Sequence, residues 1–247
     1  MKKTEKTARK GCGRALVGIL LAGAVLALSL PSSALAAKAS ITFYGHAAFK
    51  IVTPSGGVIL IDPWVKNPLN PDKGTLGKLG RVDYILLSHG HFDHVGQTVE
   101  IGKKTGAELV ASFGLGMNLV SMYDYPAKQA GFGTLGNPGG TIKLPKAGAQ
   151  VTFVAAVHSS ALNAVKPRPG QPSRVASGAP VGYVLEIDNG PTIYFTGDTD
   201  VTMDMALIDR LYDVDVMLVN TGDHFNMSPR RAAVAVDLVK PKKAVPM

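Results

Sequence analysis

The sequence predicts an α/β protein in which two β-sheets pack together and helices cover their outer faces. Short β-rich runs early in the chain are separated by tight turns rich in Gly, Pro and Asp. Later strands alternate with helical runs. Strands that first form meanders and later alternate with helices are typical of two sheets flanked by helices.

The first half of the domain is predicted to contain five strands and two helices. The predicted strands are 40–44, 48–53, 57–61, 82–87 and 108–111, with turns at 45–46 and 54–57. The predicted helices are 95–105 and 114–123.

The second half continues with alternating strands and helices. The predicted strands are 150–157, 181–187, 192–195 and 216–220, and the predicted helices are 201–212 and 228–239. The stretch 159–179 is predicted to be irregular. It is too long for a simple connection, so we expect it to have a function.

Residues 1–36 have the three parts of a secretory signal peptide. Six basic residues precede an apolar run at 15–30, and Ala34-Leu35-Ala36 follows it. The run is shorter than the ~20 residues that span a bilayer comfortably, so a permanent anchor is the less favoured alternative. We predict cleavage after Ala36, with Ala39 as the alternative, and a periplasmic or secreted protein without a stable membrane anchor.

Removing the signal peptide changes what the composition indicates. The net charge of +8 falls to about +3, because 20 Lys and Arg and 17 Asp and Glu remain. This modest charge gives no reason to expect a nucleic-acid partner. The single cysteine, Cys12, would also be removed with the signal peptide. Any metal must therefore be held by nitrogen and oxygen ligands in one domain, 40–247.

Potential metal ligands follow the apolar strand 82–87. The stretch "SHGHFDH" places three histidines and an aspartate within six positions. His89 and His91 are two residues apart, so in an extended segment both imidazoles leave the same side of the chain. Gly90 is predicted to let the chain bend between them.

Asp93 and His94 are predicted at a turn into the helix that starts near Val95, where a second cation could bind close to the first. Gly96 is predicted to let the start of this helix pack closely. A histidine-rich surface loop is the alternative interpretation. That alternative is disfavoured because the pattern directly follows an apolar strand.

Two more polar residues follow apolar strands in the same way. His158 comes after the strand that ends near Val157, and Asp198 lies in Thr196-Gly-Asp-Thr199, just past another apolar run. A carboxylate between two cations can bridge them. These two residues could therefore complete the coordination set.

These motifs resemble the metallo-β-lactamase superfamily. The flanking segments resemble its small metal-dependent hydrolases, related to the ascorbate-6-phosphate lactonases, over 42–247; they include "FYGHAAFKI", "ILIDPW" and "IYFTGDTD". The resemblance implies a four-layer αβ/βα sandwich. It assigns His89, His91 and His158 to one metal, Asp93 and His94 to a second, and Asp198 to both.

The resemblance also implies two divalent ions, zinc first, with manganese or iron as alternatives. Asp62 is expected to support the metal-binding loop without touching metal, and His46 and His224 are expected in the cleft. The family carries a last histidine after a strand ending "PM". Because this sequence stops at Met247, we expect a truncated chain; the alternative is a weakened second site.

The predicted function is hydrolysis of an ester, lactone or similar bond in a small molecule by a metal-bridged hydroxide. Asp93 and His94 are the predicted catalytic residues. The alternatives are a phosphodiesterase, a non-catalytic metal-binding protein, and a di-iron oxidoreductase. The cleft walls are predicted at 67–73, 159–179 and 223–227, where Lys166, Arg168 and Arg174 could receive an anion. The sequence predicts no oligomeric state.

Overall fold

The structure, a computed structural model, describes residues 38–163 and 173–247. The predicted signal peptide therefore lies outside the described residues. Within them, no helix is both long enough and apolar enough to cross a membrane.

The first sheet is formed by the amino-terminal half of the domain. Its strands are β1 Ser40–Phe43, β2 Phe49–Val52, β3 Val58–Ile61, β4 Tyr84–Leu87, β5 Glu108–Ser112 and β6 Leu135–Gly136, in that order across the sheet. Strands β1 to β3 pair antiparallel, and β3 to β6 pair parallel. Both β3 and β4 are apolar throughout because both of their faces are buried.

The second sheet is formed by the remaining long strands. They are β7 Thr141–Leu144, β8 Ala149–Ala155, β11 Val181–Ile187, β12 Thr192–Phe195, β13 Val216–Val219 and β14 Lys243–Pro246. Their order across the sheet is β14-β13-β12-β11-β8-β7, and β12, β13 and β14 run parallel. A separate hairpin pairs β9 Ala161–Asn163 with β10 Arg174–Ala176.

In the part of the chain that the structure describes, six α-helices connect these strands. They are α1 Thr75–Lys78, α2 Phe92–Val95, α3 Thr98–Thr105, α4 Phe113–Tyr123, α5 Met205–Leu211 and α6 Pro229–Val239, and short 3₁₀ turns cover Ala127–Gln129 and Pro145–Ala147. Helix α6 begins where Ser228 accepts a hydrogen bond from the Arg231 backbone and Pro229 takes the first helical position.

Three buried clusters define four layers. One cluster packs the two sheets face to face, with Phe49 and Leu86 from the first sheet meeting Phe153 and Phe195 from the second. A second cluster packs α3 and α4 on the outer face of the first sheet. The third packs α5 and α6 on the second sheet. The predicted four-layer αβ/βα sandwich is therefore confirmed.

Some predicted elements differ from the observed ones. The helix predicted over 95–105 is two helices, α2 and α3, and Gly96 between them has a left-handed φ of +42°. The helix predicted over 201–212 begins only at Met205. The stretch 159–179 is not wholly irregular, because it contains the β9–β10 hairpin; residues 164–172 of it lie outside the described residues.

Candidate metal centre

The candidate site lies where strands of both sheets end. Strand β4 ends at Leu87, directly before the short loop 88–91 and helix α2. In the second sheet, β8 ends three residues before His158, and β12 ends three residues before Asp198. The two sheets therefore each contribute part of the site.

Three histidines form the first cluster. His89 Nε2 lies 2.9 Å from His91 Nδ1, and the His158 ring centroid is 5.0 Å from that of His89 and 5.1 Å from that of His91. One nitrogen from each ring lies within 4.8 Å of the other two. This spacing can accommodate one metal ion.

These three imidazoles favour the neutral form. Burial lowers the pKa of His89 well below its ordinary value, and the nearby His94 lowers it further. Burial is also the main reason why the pKa values of His91 and His158 are lowered. Neutral imidazole has the lone pair that a metal ligand needs.

A second cluster contains His46, Asp93 and His94, which also offer atoms within 4.8 Å of one another. His46 Nε2 lies 3.1 Å from Asp93 Oδ2. Asp93 and His94 lie inside α2, so the prediction that they lie in a turn before the helix was wrong. They nevertheless lie on the side of α2 that faces the histidine cluster, since the His94 ring is 4.1 Å from that of His89.

Asp198 lies between the two clusters. Its Oδ2 is 3.5 Å from His94 Nε2 and 3.8 Å from His158 Nε2. Burial alone would raise the pKa of Asp198, but His94 and the neighbouring histidines lower it far below its ordinary value. The group is therefore an ionised carboxylate that lies between the two clusters.

Asp62 supports the site from beneath. This fully buried carboxylate accepts hydrogen bonds from the Ser88 backbone (2.8 Å), from Ser88 Oγ (2.5 Å) and from His94 Nδ1 (2.7 Å). Because Ser88 Oγ donates to Asp62, it accepts from His89 Nδ1 at 2.9 Å. Asp62 thereby orients two histidines and leaves the Nε2 atom of each facing the site.

Gly90 and Gly96 allow close backbone packing. A Cβ atom on Gly90 would lie 2.1 Å from Ser177 Oγ, and one on Gly96 would lie 2.3 Å from Trp64 Cα. The predicted role of Gly96 agrees with this contact. The chain bends at Gly90 as predicted, although its φ is not positive, and glycine is also required there for space.

Asn220 is a buried residue of this region that sequence reasoning missed. Its Nδ2 donates to the Thr199 carbonyl (2.9 Å) and its backbone donates to Thr196 Oγ1 (3.1 Å), on either side of Asp198. Thr199 Oγ1 in turn accepts from the Val157 backbone (2.8 Å), next to His158. The sequence pattern could have indicated Asn220, because this residue directly follows the apolar strand β13.

The two predicted cleft histidines differ in their surroundings. His46 contacts Asp93 and packs edge-on against Trp64, with ring centroids 5.2 Å apart. His224 is exposed, its ring lies against Phe225, and it belongs to none of the histidine and carboxylate clusters found among the described residues. The structure thus brings His46 into the site and leaves His224 on the surface.

Comparison with known proteins identifies the family. Residues 58–247 match the model of the beta-lactamase superfamily domain. The chain belongs to the metallo-β-lactamase superfamily. A metal-dependent hydrolase from Anaeromyxobacter dehalogenans is 53% identical over 211 residues, which cover 85% of this chain and 74% of that protein.

Other members of the metallo-β-lactamase superfamily agree with this assignment. A metal-dependent hydrolase from Thermodesulfovibrio yellowstonii is 48% identical, and the matched residues cover 90% of this chain and 82% of that protein. The solved structure of a metallo hydrolase from Ignicoccus hospitalis is 30% identical, with a TM-score of 0.70, and covers 85% of this chain and 82% of that one. The predicted family is therefore confirmed.

Proposed function

We propose that this chain is a hydrolase that binds two divalent metal ions, with zinc as the first choice, and cleaves ester or lactone bonds of small molecules. The observation that carries the proposal is His94 Nε2, which is buried without a hydrogen-bond partner and lies 3.5 Å from Asp198 Oδ2. The 3.5 Å separation from Asp198 is too long for a good hydrogen bond, and a metal ion bound there would be held by both groups.

The donor set fits divalent metals. His89, His91 and His158 would hold one ion, Asp93 and His94 the other, and Asp198 would contact both. Imidazole and carboxylate donors suit zinc, and also manganese and iron. Ions bound there would activate water at neutral pH and polarise the bond that is cleaved.

Asp93 is the group placed to move a proton. Burial alone would raise its pKa, but the hydrogen bond from His46 and the charge of His94 lower it below the ordinary value. Asp93 is therefore ionised at neutral pH and can accept a proton from water. The water oxygen bonds to the carbonyl carbon, the ester C–O bond breaks, and the proton passes to the leaving oxygen.

Removing the metal tests the proposal. Treatment of the purified chain with a chelator, followed by its removal, is expected to reduce hydrolysis of p-nitrophenyl acetate to the background rate. Adding Zn²⁺ is expected to restore the rate as the ion binds; bound metal is measured by atomic emission and hydrolysis by absorbance. Undiminished hydrolysis by the metal-free protein would contradict the proposal.

We also propose that the protein is exported, which the basic, apolar and small-residue segments of 1–36 support. Expressed at full length in a bacterium, the protein is expected in the periplasmic fraction or the medium, with Ala37 as its first residue. Amino-terminal sequencing measures this directly, and Ala36→Asp is expected to block processing. An unprocessed protein confined to the cytoplasm would contradict export.

A further inference from the structure

A cavity of about 400 Å³ opens beside the candidate metal centre. His46 and Asp198 are part of its lining, together with residues from the β1–β2 turn and from the loop after β13. Cavities of this order are typical of small-molecule sites. A molecule bound here would lie against the carboxylate proposed to contact both metals.

The wall of the cavity near the β1–β2 turn is apolar and partly fixed. Phe43 and Leu69 line it and are 47% and 68% exposed. The Phe43 ring stacks on Phe49, a core residue, with centroids 4.8 Å apart. Because Phe49 is buried, Phe43 forms a surface that is in place before any ligand binds.

Another lining residue carries an unsatisfied polar atom. Asn226 lines the cavity, and its Oδ1 is buried without a hydrogen-bond partner. An unpaired buried amide oxygen raises the free energy of the folded protein. A ligand with an O–H or N–H group at this position would satisfy it.

The described lining carries no Lys or Arg side chain to receive an anion. Two basic residues of the predicted cleft walls are engaged elsewhere. Lys73 Nζ donates to the Asn67 and Pro68 carbonyls, and Arg174 Nε donates to Asn163. Lys166 and Arg168, also predicted to receive an anion, lie outside the described residues.

We propose, on the basis of the function above, that the substrate is an uncharged ester or lactone with an apolar acyl or ring portion. That portion packs against Phe43 and Leu69. A hydroxyl or N–H group of the substrate donates to Asn226 Oδ1. The carbonyl carbon then lies on the side of the cavity formed by Asp198 and His46.

A series of p-nitrophenyl esters tests this substrate class. With the zinc-loaded protein, kcat/KM is expected to rise about threefold for each methylene added from acetate to hexanoate, as apolar surface is buried. An ester of the same length that ends in a carboxylate is expected to react at least tenfold more slowly than its uncharged counterpart, because a buried unpaired charge is costly.

Two variants test whether Leu69 contributes to the preference for longer acyl chains. Leu69→Asn is expected to lower the hexanoate-to-acetate ratio of kcat/KM by about fivefold, since the polar side chain weakens apolar packing. Leu69 is largely exposed, so the variant should fold. Leu211→Asn is the matched control, because Leu211 is 70% exposed on α5 and does not line the cavity. The hexanoate-to-acetate ratio of kcat/KM in this variant should equal that of the wild type.

The outcomes separate this inference from the proposed function. A kcat/KM that is independent of acyl length, or a preference for the charged ester or for bis(p-nitrophenyl) phosphate, overturns the substrate class but leaves metal-dependent hydrolysis intact. If Leu69→Asn leaves the hexanoate-to-acetate ratio of kcat/KM unchanged, the proposed substrate class is also overturned. Absence of metal-dependent turnover of every ester and of the phosphodiester overturns both.

Discussion

Replacing Asp62 with asparagine is expected to lower the free energy of unfolding of the metal-free protein by about 3–5 kcal/mol at pH 7. Asparagine retains the size of the side chain and tolerates the left-handed φ of +43° at this position. It removes the carboxylate that pairs with buried His94 and accepts two hydrogen bonds from Ser88. Urea denaturation monitored by circular dichroism measures the difference.

The loss of stability in Asp62→Asn is also expected to depend on pH. Burial alone would lower the pKa of His94, but the carboxylates of Asp62 and Asp198 raise it from 6.5 to about 10. A pKa raised by folding stabilises the protein fully below about pH 6.5, and this contribution is lost as the pH rises through about 10. The difference between wild type and Asp62→Asn should shrink over that window.

The control for Asp62 is Asp188→Asn, because Asp188 is exposed in the turn after β11. Its free energy of unfolding should stay within about 0.5 kcal/mol of the wild type. If Asp62→Asn proved equally mild, or if its deficit grew as the pH rose towards 10, the supporting role assigned to Asp62 would be wrong.

Asp93→Asn is expected to lower kcat for p-nitrophenyl acetate by roughly 10²- to 10⁴-fold, the range typical of a lost general base. Asp93 is also a proposed metal ligand, so metal content must be measured alongside the rate. The Asp93 side chain is 25% exposed, and its one hydrogen bond to another side chain among the described residues is with His46. Stability of the metal-free protein should therefore change by less than about 1 kcal/mol.

Adding excess Zn²⁺ distinguishes the two roles of Asp93. A variant that regains full metal occupancy but remains slow has lost proton transfer, whereas a variant whose rate recovers with occupancy has lost only a ligand. A kcat within threefold of wild type at matched metal content would show that Asp93 is not the proton-accepting group.

Several residues of the candidate site could be predicted because each follows an apolar strand. His89 comes after β4, His158 after β8 and Asp198 after β12. The carboxyl ends of strands are where irregular backbone and polar side chains emerge from a sheet, so a polar residue there stands out in the sequence. Asn220 follows β13 in the same way, but amides are common in loops and it was missed.

The features that were not predicted depend on contacts between distant parts of the chain. Helix 95–105 is interrupted because the Gly96 backbone packs against Trp64, more than 30 residues earlier. Hairpin β9–β10 has few strand-forming residues of its own. It is held instead by Ser160 and Ser177, which bond to each other at 2.8 Å, while Ser160 also accepts from the Gly90 backbone. Local sequence patterns do not encode such contacts.

The division of the candidate ligands between the two sheets has a consequence for how the protein matures. His89, His91, Asp93 and His94 follow a strand of the first sheet, whereas His158 and Asp198 follow strands of the second. The cluster of His89, His91 and His158 is complete only after the sheets have docked, so an ion held by these three residues would be loaded late in folding. A chain that left the cell before folding would thus take its metal from the compartment in which the sheets meet.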